Sequence, residues 1–159
     1  MGALTGIARL VGWAGLTSVG SLHVAWASGS PWPARNRKLL AEAVVGRAKS
    51  MPVPGATAVV GAGAIVGGAI AGGALGEGRG PVCIRRCMGA ALLARAVLGG
   101  EAALAALELP APGRRFRDLD RDVYRPLCAV LGVALLIGAR NRSRSRAADP
   151  AQDRGAAEH

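Results

Sequence analysis

Aromatic side chains are scarce in this chain, with one Phe, one Tyr and three Trp among 159 residues. RNA-binding sheets that stack bases on rings are thereby excluded. No zinc-finger or helix-turn-helix spacing is present either, so nucleic acid is not an expected partner despite a net charge of +10. Cysteine is limited to Cys83, Cys87 and Cys128. The first two stand one helical turn apart, a spacing that fits neither a redox Cys-x-x-Cys nor a zinc site, which needs two more ligands. Free thiols are expected, and no metal, cofactor or catalytic motif emerges.

What the chain has is apolar sequence in blocks, 51% of the whole. Val59 to Gly76 runs VVGAGAIVGGAIAGGALG. A dinucleotide-binding turn needs a third glycine in Gly-x-Gly-x-x-Gly, but that position is Val66, and no second strand with an acidic end follows. Length and apolarity fit a membrane helix, since about 20 residues at 1.5 Å each cross roughly 30 Å of hydrocarbon. Three more blocks follow the same logic, giving expected spans over 8–27, 55–76, 87–108 and 123–139. Together they leave no soluble core of ordinary size. The expected fold is an all-α integral membrane four-helix bundle of up-down-up-down topology, multi-pass in the cell membrane.

Glycine is a poor helix former in water but common in membrane helices, where a missing side chain lets backbones approach. Gly63 and Gly67 make one four-residue step, and Gly68, Gly72 and Gly76 continue on an adjoining face. These five are the expected helix-packing positions. They serve the protein's own bundle, self-association or a membrane protein partner.

Between the first two spans, Pro31 and Pro33 favour a turn, and residues 34–50 carry helical apolar spacing among basic residues. An interfacial helix is expected there, with a solvated loop helix as the alternative. Residues 140–159, RNRSRSRAADPAQDRGAAEH, are too polar to fold alone and form an expected basic, disordered tail. Ala25-Trp26-Ala27 imitates a signal-peptidase site, but Thr17, Ser18, Ser21 and His23 interrupt the preceding run, so the first block is expected to stay. The positive charges flank apolar spans, where the lipid bilayer and its anionic headgroups are the expected partners. They divide almost evenly between the two sides. Arginines 140, 142, 144 and 146 at the end of the last span favour cytoplasmic termini.

Two stretches carry a resemblance. Leu22 to Pro33 (LHVAWASGSPWP) and Phe116 to Cys128 (FRDLDRDVYRPLC) are similar to the signatures of a family of small four-helix bacterial membrane proteins of unknown function. There the first helix ends in His-x-x-Trp and a Gly-rich turn with Trp, and the last begins Asp-Arg-x-x-Tyr-x-Pro-Leu-Cys. The resemblance implies four helices and a membrane location. It implies no reaction, cofactor or ligand.

Ionisable groups at membrane depth are costly and invite a functional reading. His23, Glu101 and Arg125 fall near one depth in an up-down-up-down arrangement, and Glu101 paired with Arg125 or His23 is the expected polar layer. A structural role makes the protein a non-enzymatic accessory or interaction protein, with that layer dry and fully paired. A small transporter or membrane-embedded enzyme is the alternative, and it requires a cavity reaching His23, histidine being the residue type best suited to proton-linked chemistry.

Overall fold

The computed structural model describes residues 2–46, 52–106, 108 and 111–139. Among them every regular element is helical. They are α1 (Ala3–Ala27), α2 (Arg37–Val44), α3 (Pro54–Gly72), α4 (Arg79–Ala106), α5 (Arg114–Leu119) and α6 (Arg125–Gly138), with a π-helical turn over Asp120–Tyr124. The expected tail at 140–159 lies outside the described residues.

Local chemistry sets the boundaries. Asn36 caps α2 by accepting a hydrogen bond from the Leu39 N–H at 2.9 Å. Pro54 opens α3, where its missing N–H has no partner to lose. That helix ends at Gly72, four residues short of expectation, because Gly73 turns left-handed at φ 106° and its N–H and that of Ala74 close on Ala69 and Ile70. Gly76 therefore falls in a turn, outside the helix. The segment expected to lead into the last span is itself helical from Arg114, and the Arg125 N–H bonds the Asp120 carbonyl five residues back. This wider turn sits just before Pro126, which lacks the N–H that Asp122 would otherwise receive.

Four long helices pack in the order α3, α1, α6, α4, with α3 and α4 barely touching. Leu16, Ala71, Leu131 and Leu135 form the core, with Met88 and Leu92 against it. Two helix pairs meet backbone to backbone. A Cβ on Gly20 would stand 2.7 Å from the Gly61 carbonyl, and one on Gly132 would stand 2.9 Å from the Gly89 carbonyl. Gly68 meets Thr17 and the Trp13 carbonyl, Gly72 meets the Trp13 ring, and Gly67 meets Met88. Gly63 has nothing within 4 Å. The face of α3 turned to α1 is thus Gly61, Gly68 and Gly72 rather than a stripe through Gly63 and Gly76. Gly68→Leu should destabilise the detergent-purified protein by about 1–3 kcal/mol or more, the range for overpacking, whereas Gly63→Leu should melt like the parent. Equal melting of both would mean that α1 and α3 do not touch at Gly68.

At the end holding the α3–α4 turn, three charged side chains interlock. Arg85 is fully buried, and its Nε donates to the Ile70 carbonyl at 2.7 Å while Nη2 donates to the Gly76 carbonyl at 3.1 Å. Its Nη1 reaches both Glu77 oxygens at 3.3 Å. Arg9, also buried, donates through Nη2 to Glu77 and through Nε to the Gly138 carbonyl at 3.1 Å. This knot ties α1, α4 and the ends of α3 and α6 together. Outward, the helices are apolar, with Ile7, Leu10, Val59, Val66, Val97, Leu98 and Val130 all exposed. Taken singly, α3 is the one described helix whose length and apolar composition match a bilayer crossing. Polar and charged residues interrupt α1 and α4, and α6 is only 14 residues long.

Candidate functional site

The other end of the molecule gathers α2, α5, the π-helical turn and a break in α4. The break lies at Gly99, whose φ of 80° and ψ of 171° leave the helix. Such a departure frees backbone groups that need hydrogen-bond partners from elsewhere in the fold. Arg125 supplies two donors, Nε to the Ala96 carbonyl at 2.6 Å and Nη2 to the Val97 carbonyl at 2.9 Å. Asp120 accepts from the Gly100 N–H at 2.7 Å and from Arg95 Nη2 at 2.6 Å. Residues five apart stand about 140° around a regular α-helix. The five-residue hydrogen bond of the π-helical turn rotates Asp120 and Arg125 toward the same side, which explains why both reach the break. Arg95 Nη1 is buried with no hydrogen-bond partner among the described residues. Gly100 is obligatory, since a Cβ there would lie 2.6 Å from Phe116 Cζ.

Two neutral hydrogen bonds dock this segment on α2. The Tyr124 hydroxyl donates to the Ala43 carbonyl at 3.2 Å, and the Gly113 N–H donates to the Gly46 carbonyl at 2.8 Å. Phe116 is buried beside Tyr124, with ring centroids 6.2 Å apart.

On the opposite flank of α2, the end of α1 presents His23 and Trp26, their rings 4.9 Å apart and tilted by 51°. Trp26 is buried, and its indole N–H donates to the Trp32 carbonyl at 2.7 Å. His23 Nδ1 lies 2.8 Å from the Val19 carbonyl. A carbonyl only accepts, so Nδ1 carries the hydrogen, and in the neutral ring Nε2 is the acceptor. Beside these rings is a cavity of about 170 Å³ lined by His23, Trp26, Val44, Val45, Thr57 and Val60, among others.

The expected polar layer therefore divides. Glu101 is exposed, and among the described residues no ion pair joins it to Arg125 or to His23. The reason is the break. A regular helix projected through Gly99 misplaces everything after it, and Asp120 takes the carboxylate position assigned to Glu101. Arg125 satisfies helix carbonyls, while His23 borders a cavity on another flank. Arg95 stands out in the sequence as a charge inside the third block, but its partner Asp120 was missed, and so was Thr57 as part of the cavity wall. The available signals were the Gly99-Gly100 pair inside an apolar run and an aspartate five residues before Arg125. Among the described residues no group of three His, Cys, Asp or Glu is placed to hold a metal ion, and all three cysteines are free.

The family model described as protein of unknown function DUF3995 matches residues 16–135. The chain belongs to that family. The match covers His23, the cavity walls, the α4 break and Asp120, and it includes Glu77 and Arg85 but not Arg9. No curated protein and no solved structure matches the chain.

Proposed function

We propose that the protein is a four-span membrane bundle, α1, α3, α4 and α6 crossing the bilayer, that binds a small molecule at its α2–α5 end without transforming it. The observation that carries the membrane reading is an inside-out distribution: Val59 and Val97 are 72% and 73% exposed while Arg85 is 0% exposed. Soluble proteins place their charged residues the other way, and outward apolar residues on every long helix match a hydrocarbon solvent. Basic residues at the ends, including exposed Arg37, Lys38, Arg114, Arg115, Arg117 and Arg121, face anionic headgroups. The arginines from 140 to 146 hold the termini in the cytoplasm.

Binding is favoured over catalysis because His23 bonds a backbone carbonyl rather than a carboxylate, and no nucleophile hydrogen-bonds it among the described residues. An acid–base pair needs such a partner to orient and tune the imidazole. A cavity reaching His23 is the feature the transporter or enzyme alternative requires, and the dry, fully paired layer of the accessory role is not formed among the described residues, so the role proposed is ligand binding at that cavity.

Reporter fusions test the topology. Fusions after Gly78 and His159 should give one signal and those after Lys49 and Gly113 the opposite, with the cytoplasmic signal at His159. A Lys49 signal matching His159 would sink the four-span arrangement.

A further inference from the structure

Resting on the binding role just proposed, we infer that the His23–Trp26 cavity takes the ring and hydroxyl of a small uncharged phenol, the hydroxyl donating to His23 Nε2. Four observations carry this. The imidazole orientation is fixed by the Nδ1 bond to Val19, so the ring offers the cavity an acceptor and no donor in its neutral form. The indole of Trp26 is held by its bond to the Trp32 carbonyl and supplies an aromatic wall. Val44, Val45 and Val60 complete an apolar lining that favours an uncharged ligand, since among the described residues no acidic or basic side chain besides His23 lines the cavity. At about 170 Å³ the space falls below the roughly 300–1,000 Å³ of drug-sized sites, which limits the occupant to about one ring.

A phenol meets all four conditions. Its flat face packs on the indole and the valine methyls, and its single donor matches the acceptor that His23 offers. Thr57 is the other polar side chain on the wall; its hydroxyl makes a 3.5 Å bond to the Val53 carbonyl and has lone pairs left to accept. Two sources share this chemistry: a free small phenol, and the headgroup of a lipid-soluble quinol whose tail leaves past the half-exposed Val60.

The test uses the full chain in detergent with Trp13→Phe and Trp32→Phe, so that Trp26 alone reports. Its emission is titrated with 4-methylphenol, with the methyl ether of that phenol, and with a short-tailed benzoquinol. The phenol should bind about tenfold more tightly than its ether, the worth of one hydrogen bond. His23→Phe should erase that difference while retaining a ring. Val60→Phe, at an exposed position, should block both probes. A quinol at least tenfold tighter than the phenol identifies the membrane carrier, and equal affinities identify a free phenol. Equal binding of phenol and ether to the parent, discrimination that survives in His23→Phe, or undiminished binding in Val60→Phe overturns the inference. Helix content and membrane extraction of the same samples report separately on the four-span reading.

Discussion

Glu77→Ala is expected to lower the stability of the detergent-purified protein by about 3 kcal/mol, within the range for stranding a buried charge. Arg85 has no exposed surface and loses its counter-ion outright, and Arg9 loses the carboxylate that joins it to α4. Glu77 itself is 36% exposed, so solvent screens part of the attraction and the cost arises chiefly from the arginines. Glu77→Gln keeps an acceptor and should cost less. Replacing Arg85 by Met in the Glu77→Ala background should recover part of the loss. Acid should mimic the substitution. Burial pushes the Glu77 carboxyl up, but hydrogen bonds from Arg85 and then Arg9, with their charges, outweigh it and hold its pKa below the ordinary 4.5. A carboxyl whose pKa is lower folded than unfolded stabilises fully above its unfolded value, and that stability is lost as pH falls through the folded one. Parent and Glu77→Gln should therefore converge as pH drops below 4.5. Thermal melts across that range check the sign, and a constant gap between them would remove Glu77 from the knot.

Asp120→Ala should cost about as much, 3–5 kcal/mol. It strands Arg95 and leaves the buried Gly100 N–H without its acceptor at the break. Asp120→Asn keeps one acceptor for that N–H and should lose roughly half as much, because the charge pair alone is gone. The double change Asp120→Ala with Arg95→Ala should recover part of the deficit. Chemical unfolding of the three variants measures this, and strictly additive losses would mean that the two side chains do not meet.

Much of the architecture was legible because it follows from length and apolarity. The four apolar blocks each hold a long helix, and the Pro pair and the helical apolar spacing over 34–50 announced the turn and α2. The boundaries and the polar partners were harder. Arg9 and Arg85 count as flanking charges if helices start where the apolar runs start. In fact α1 begins at Ala3 and α4 at Arg79, so both arginines lie well inside helices and turn inward. Gly99 was illegible for a related reason. Glycine recurs along every long helix here, and sequence does not distinguish one that packs from one whose φ is 80°. Projection through that break brought Glu101 to a place that Asp120 occupies. His23 was legible as an oddity in an apolar block, but its cavity depends on α2 and Thr57 folding against it.

The two glycine contacts divide the long helices into locked pairs, α1 with α3 and α4 with α6. Each pair carries its own short helix, α2 in one and α5 in the other. Between pairs, packing runs along α1 and α6, while α3 and α4 stand nearly apart. A displacement of one pair against the other is the rearrangement that would leave both backbone contacts intact. Charged, buried ties at Glu77 resist that motion at one end. Among the described residues the Tyr124 and Gly113 hydrogen bonds, with Gly46 packed on Pro112 and Phe116, join the pairs at the other. Buried charge fastens the two pairs at one end of the molecule, and neutral hydrogen bonds fasten them at the end that holds the His23 cavity.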